Sequence, residues 1–198
     1  MNLVIIKYNA GNIMSVDFAL QRLGVNPLIT DDEEAIRRAD KVIFPGVGEA
    51  STTMQYLQEH KLDTLIRSLK QPVLGICLGL QLMCSFSEEG DTDCLGIFGE
   101  KVKKFVNPEG PDKLKIPHMG WNSIKNMKGK LFKGIPENSY VYFVHSFYAA
   151  LGEGTSAVCD YIHPFSAALE KNNFFATQFH PEKSGVVGSQ ILKNFIEL

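Results

Sequence analysis

The pentad Gly75-Ile76-Cys77-Leu78-Gly79 follows directly on the apolar run Pro72-Val73-Leu74, and a helix-like pattern follows it. A strand that turns into a helix within so few residues needs glycines on either side, because a side chain there would block the approach of the two elements. Gly-x-Cys-x-Gly in this setting reads as a nucleophile elbow. The apex side chain is pushed out of the sheet beside free helix N–H groups, which favour thiolate over thiol. The same five residues also fit a buried cysteine between a core strand and a helix.

The surrounding periodicity supports a strand at 73–76. Residues 3–6 form another apolar strand, and Ile13, Val16, Ala19, Leu20 and Leu23 recur at helical spacing before Gly24. A short strand at 27–30 leads to Asp31 and Asp32, which offer caps to a helix at 33–39. A strand at 41–44 precedes Pro45-Gly46-Val47-Gly48, and helical stretches at 50–58 and 62–69 follow. This βαβαβ rhythm predicts an α/β fold, a doubly wound, mostly parallel sheet flanked by helices. The second half changes character. Strands are expected at 96–106, 116–124, 140–148, 156–161, 167–169 and 174–178, an added antiparallel β part, before a closing helix at 187–195.

A chain of 198 residues is expected to form a single domain, 1–198, and to need neither disulfide nor metal for stability. A formal charge of −2 and the lack of a basic run argue against nucleic acid. Cys77, Cys84, Cys94 and Cys159 show no metal-binding spacing, so no metal and no cofactor is expected. The chain starts at once with a strand and has no run of 18 apolar residues. No signal peptide, no membrane and a reducing, cytoplasmic setting are therefore expected, which suits a free thiol.

A cysteine nucleophile needs a base, and the base needs an orienting partner. His180-Pro181-Glu182 offers both. Two residues apart in extended backbone, Glu182 and His180 point the same way, at the C-terminal end of a strand read over 174–179. Oxyanion donors are also required. The glycines of Pro45-Gly46-Val47-Gly48 allow backbone amides to face a substrate, and the Leu78 amide follows the nucleophile. Each piece alone also fits an ordinary loop. His60 on an exposed helix and His163 in a turn before Pro164 both read as structural or solvated. His145 is expected to shape a pocket only through its backbone, and neither it nor His118 to act as a base.

Further runs join these: Tyr8-Asn9-Ala10-Gly11-Asn12, Ser87-Glu88-Glu89-Gly90, Ile116-Pro117-His118-Met119-Gly120-Trp121-Asn122, Tyr142-Phe143-Val144-His145-Ser146-Phe147-Tyr148 and Gln178-Phe179-His180-Pro181-Glu182-Lys183-Ser184. On these motifs the whole chain resembles the class I, triad-type glutamine amidotransferases. Within them it resembles the glutaminase subunits that feed ammonia to a cyclase in histidine biosynthesis. The resemblance implies that Cys77 attacks the side-chain amide of glutamine, that His180 is base and then acid, and that Glu182 orients His180. It implies oxyanion amides from Val47 and Leu78, and glutamine binding by Gln81 and Glu89 with backbone help from Gly48, Ser146 and Phe147. It also implies a heterodimer with a (β/α)₈-barrel cyclase, with Asn12, Met119, Trp121, Asn122 and Tyr142 towards the interface and the ammonia passage. Three positions depart from the family pattern: Lys7 where aspartate is usual, Asn9-Ala10 where Gly-Met is usual, and Phe147 where tyrosine is common. Other readings are an amidotransferase for a purine, pyridoxal phosphate or anthranilate pathway, a non-catalytic assembly subunit, and a cysteine hydrolase or peptidase.

Overall fold

The computed structural model describes residues 1–8, 12–111 and 113–198. Asn9, Ala10 and Gly11 of the first motif lie outside the described residues. In the first half, β1 (Leu3–Ile6) leads through α1 (Ile13–Arg22) to β2 (Leu28–Thr30), then α2 (Glu33–Arg38) and β3 (Lys41–Gly46). Next come α3 (Ala50–Glu59), α4 (Leu62–Ser68), β4 (Val73–Cys77) and α5 (Leu78–Met83). The second half holds β5 (Phe86–Ser87), β6 (Thr92–Asp93), β7 (Lys101–Lys104), β8 (His118–Ile124), β9 (Ser139–His145) and β10 (Phe147–Ala149). It ends with β11 (Thr155–Tyr161), β12 (His163–Lys171), β13 (Phe174–Thr177) and α6 (Gly185–Ile196).

The main sheet has the order β11-β12-β13-β4-β3-β1-β2. From β13 to β2 the neighbours are parallel, while β12 and β11 extend the sheet in antiparallel fashion. Strands β1, β3 and β4 are buried at every residue, as expected where helices cover both faces. Alternation along β1 sends Val4 and Ile6 to the core shared with Ile36, Leu57, Leu65 and Leu80 of α2 to α5. Leu3 and Ile5 go to the other side, against Val16 and Leu20 of α1 and Ile191 and Phe195 of α6. The expected doubly wound fold with an antiparallel addition is what forms. No helix among the described residues is long and apolar enough to cross a membrane.

Several elements differ from expectation. The strand expected over 96–106 shrinks to β7. Residues just before it give their amides to the end of α5 instead: Leu95 N to Leu82 O at 2.8 Å, Gly96 N to Cys84 O at 2.8 Å and Phe98 N to Met83 O at 2.9 Å. These bonds satisfy carbonyls that the short helix leaves open. The single strand expected over 140–148 breaks at Ser146, because β9 pairs with β8 and β10 pairs with β7 in another sheet. His163 is the first residue of β12 rather than part of a turn, opposite Tyr161 across Ile162. The two-residue strands β5 and β6 are too short to carry a period. Asp32 caps α2 as expected, accepting from Ala35 N at 2.8 Å.

A Cβ built on Gly79 would sit 2.1 Å from the Phe44 carbonyl oxygen, so the first turn of α5 packs directly on the backbone of β3. Gly99 has nothing within 4 Å of such an atom. Urea unfolding should therefore show Gly79→Ala losing about 3 kcal/mol or more, since overpacking against backbone has no flexible neighbour to yield. Gly99→Ala should stay within about 0.5 kcal/mol of the parent. Equal midpoints for the two variants would show that the elbow tolerates a methyl group.

Candidate active site

Register brings three chain segments to one place. Gly46 of β3 lies opposite Cys77, the last residue of β4, and Thr177 of β13 lies opposite Ile76. The run 45–48, the cysteine and the His180 segment thus leave the sheet side by side at the carboxyl ends of neighbouring strands, the usual ligand position in such sheets. Cys77 adopts φ 55°, ψ −107°, a conformation that costs a non-glycine residue about 1–3 kcal/mol and persists only where packing enforces it.

The His-Pro-Glu pair forms differently from expectation. Strand β13 ends at Thr177, and Pro181–Lys183 is a single 3₁₀ turn, so Glu182 reaches His180 by a tight turn rather than along extended backbone. The Glu182 Oε1 accepts from His180 Nδ1 at 2.7 Å, and both side chains are buried. Glu182 fixes the proton on Nδ1, so the ring gains or loses its second proton at Nε2. That nitrogen has no hydrogen-bond partner among the described residues, and besides Glu182 the group that acts on the ring is Cys77. The backbone of this turn is held on β9: His180 N donates to Tyr142 O at 2.9 Å, and Ser184 Oγ accepts from Tyr142 N at 3.0 Å. Asn12, placed at an interface from its motif, also donates its amide to Glu182 Oε1. Its position at φ 75° before α1 and the folding of α1 against the 181–183 turn create that contact, which no local pattern announces.

Cys77 opens on a cavity of about 260 Å³ lined by Val47, Gly48, Leu78, Gln81, Glu89 and the segment 144–147. Every oxyanion and glutamine-binding candidate is therefore gathered around the thiol. Gln81 is buried and donates to Phe147 O at 2.9 Å and to Gln178 Oε1 at 3.0 Å. Glu89 accepts from Ala50 N, the first amide of α3, at 2.9 Å. A larger depression of about 690 Å³ at 113–117, Met119 and Tyr161 holds no nucleophile, so size does not select the site. Met119 and Trp121 are 63% and 55% exposed on one side of β8, whereas Asn122 and Tyr142 are half-buried. The structure brings in Tyr8, whose hydroxyl donates to Pro45 O, and Gln178, whose amide lies 3.8 Å from the Cys77 sulfur, and it joins His118 Nδ1 to His145 Nε2 at 3.0 Å.

The chain matches the family described as glutamine amidotransferase class-I over residues 7–198. It belongs to that family. Among its relatives, an imidazole glycerol phosphate synthase subunit HisH of Bacteroides fragilis is 61% identical over 198 residues, with both chains fully covered. One of the same name from Bacteroides thetaiotaomicron is 60% identical, again over the whole of both chains. A solved glutamine amidotransferase shares the fold at 19% identity, with a TM-score of 0.73 over 98% of this chain and 97% of that one.

Electrostatics separates the cysteines of this amidotransferase. Burial pushes the Cys94 and Cys159 thiols up to about 12, and Cys84 well above the ordinary value, so those three stay protonated and inert. Burial also opposes a charged His180, but Cys77 and Glu182 together overcome it and raise its pKa to about 10. Glu89 is raised by burial, against the Ala50 bond and with the help of the Glu49 charge. A positive ligand group beside Glu89 would reverse that shift.

Because the imidazole of an unfolded chain titrates near roughly 6.5, the raised His180 contributes stability that is fully present below that pH. The contribution is lost as pH rises through about 10. In urea unfolding from pH 6 to 10.5, the advantage of the parent over His180→Gln should shrink across that window. Glu182→Gln removes one of the two supporting partners, so NMR titration of the ring should show the His180 pKa falling towards the ordinary value. An unchanged titration would mean that Glu182 does not hold the charge.

Proposed function

We propose that the chain is the glutaminase subunit of imidazole glycerol phosphate synthase, a single amidotransferase domain over 1–198. In this reading it hydrolyses glutamine to glutamate and ammonia. The ammonia passes to a (β/α)₈-barrel cyclase that makes imidazole glycerol phosphate and AICAR in histidine biosynthesis. The observation that carries the chemistry is one free thiol, Cys77, set between a buried His180–Glu182 pair and a cavity lined by Gln81 and Glu89. The acceptor pathway is supported by full-length relatives at 60–61% identity that bear the synthase name.

The steps follow from the groups present. The His180 ring holds the proton of the Cys77–His180 pair near neutral pH, and the Cys77 sulfur attacks the side-chain carbonyl carbon of glutamine. The carbonyl oxygen becomes an oxyanion facing the amides of Val47 and Leu78. One such donor is worth about 10²–10³ in rate. Collapse breaks the C–N bond, and the His180 proton leaves with ammonia. A water molecule, deprotonated by His180, then attacks the thioester, releasing glutamate and restoring the free sulfur beside a protonated ring. Glu182 keeps the Nδ1 proton in place and balances the imidazolium, with Asn12 donating to the same carboxylate oxygen. The Glu89 carboxylate suits the substrate ammonium by charge, and Gly48, Ser146 and Phe147 line the same wall. Large apolar side chains left exposed on β8, Met119 and Trp121, suit burial against a partner. Asn122 and Tyr142 border the same hairpin. A cytoplasmic setting suits an enzyme with four free cysteines.

In the complex with the cyclase subunit, Cys77→Ala should lower glutamine-dependent turnover by about 10⁶-fold and leave ammonia-dependent cyclisation intact. His180→Ala should be as severe, and Glu182→Gln milder, at about 10⁴-fold. Glutamine turnover of a clean Cys77→Ala preparation at a few per cent of the parent would sink the assignment.

A further inference from the structure

On β8 and β9, His118 and His145 are directly opposite each other, and both rings are buried. His145 Nδ1 lies 2.7 Å from the carbonyl oxygen of Phe147. A carbonyl only accepts, so this nitrogen carries a proton. Burial lowers the pKa of His145 to about 3 and of His118 to about 4, so both rings are neutral near pH 7. His145 Nε2 is therefore bare and accepts from His118 Nδ1–H at 3.0 Å. His118 Nε2 is in turn bare, 3.3 Å from the Asn122 amide nitrogen, whose other proton goes to Asp160 O at 3.0 Å. Each bond runs in the same direction, and each ring has one tautomer. The rings are clamped sideways as well: His118 stacks on Tyr161 with centroids 4.0 Å apart.

The far end of this relay is the glutamine cavity. The Phe147 oxygen also accepts from Gln81, whose second amide proton goes to Gln178, which in turn reaches the Cys77 sulfur. Residues 145–147 line that cavity.

We propose that His118 and His145 are positioning residues for glutamine, a neutral pair whose hydrogen-bond relay holds the Phe147 carbonyl, and through it Gln81 and the 145–147 wall, in binding geometry. The bland alternative is a pair of core rings that pack well and happen to satisfy each other. The two differ in what they demand of the side chain. Packing needs a flat ring. The relay needs a donor on one side and an acceptor on the other, which phenylalanine lacks and glutamine possesses. Because the wall grips the amino-acid end of the substrate in ground and transition states alike, its loss should appear in KM rather than kcat.

This inference rests on the glutaminase reading, and the experiment separates the two. Steady-state ammonia release from L-glutamine is measured for the full chain assembled with the cyclase subunit and its nucleotide ligand. His145→Phe should raise KM for glutamine by about tenfold, the worth of a lost buried hydrogen bond, with kcat within about threefold. His145→Gln should recover most of that rise. His118→Phe, which leaves the His145–Phe147 bond but strips its support, should give a smaller rise of the same kind, recovered by His118→Gln. Iodoacetamide labelling of Cys77 should proceed at the parent rate throughout. If His145→Phe does not fold, the His118 pair carries the same test. A parent complex without glutaminase activity overturns the underlying reading. An active parent overturns this proposal alone if the Phe variants keep the parent KM, if kcat falls while KM holds, or if glutamine fails to rescue.

Discussion

The backbone of Cys77, at φ 55° and ψ −107°, is the constraint on which the rest of the site depends. A strand buried on both faces has to stop and a helix has to begin within one residue. The strain of about 1–3 kcal/mol at that residue is held by contacts available only to glycine. The Gly79 position lies against the Phe44 carbonyl, and the Gly75 position against the Met83 sulfur and the Gly79 backbone. The elbow therefore welds β4, α5 and β3 together. Once β4 is flanked by β3 and β13, the segments 45–48 and 178–182 have no freedom to end anywhere but beside the thiol.

Burying an ionisable pair is expensive unless each partner supplies what water would have supplied. His180 and Glu182 meet that condition at one oxygen only, because Glu182 Oε2 has no hydrogen-bond partner among the described residues. Glu182 Oε1 takes two donors, from His180 and Asn12. The Cys77 sulfur and the Glu182 charge outweigh the desolvation of the ring, which is why the ring holds its proton up to about 10. The buried pair at His118 and His145 shows the opposite balance. No carboxylate faces either ring in its bonded relay, so burial wins and both remain neutral. Two histidine environments within one amidotransferase thus differ chiefly in whether a thiol and a carboxylate act on the ring.

The added antiparallel part gives the site its far wall. Ser146 breaks what would be one strand into β9 and β10, which belong to different sheets, and the break faces the cavity. The amide of Phe105 bonds to the Ser146 carbonyl at 3.0 Å, so the bend is held from the core side. β9 also anchors the 180–184 turn through Tyr142. A single hairpin therefore holds the His180 turn, walls the cavity and carries the exposed apolar side chains of Met119 and Trp121.

The first half of the fold was legible from local pattern. Strands such as Leu3–Ile6 are continuous apolar runs, helices such as Ile13–Arg22 keep one apolar stripe, and the elbow spacing fits a strand that turns directly into a helix. Motif resemblance extended that reading to Gln81, Glu89 and the 146–147 segment, and all of them line the cavity. The short strands β5 and β6, the shrinkage of 96–106 to β7 and the break at Ser146 were not legible. Each depends on which distant backbone groups are left to pair, and periodicity carries no record of those. The same holds for the site. Residue order alone names the groups with the chemistry: a cysteine between glycines, a histidine two residues before a glutamate, an acid and an amide for a polar substrate. That Asn12 bonds to Glu182, that Gln178 reaches the sulfur and that His118 meets His145 across a hairpin follows from how the elements pack. Those contacts join residues 170, 101 and 27 positions apart. Such separations are closed by sheet register and helix packing, which act on whole elements and leave no mark on neighbouring residues.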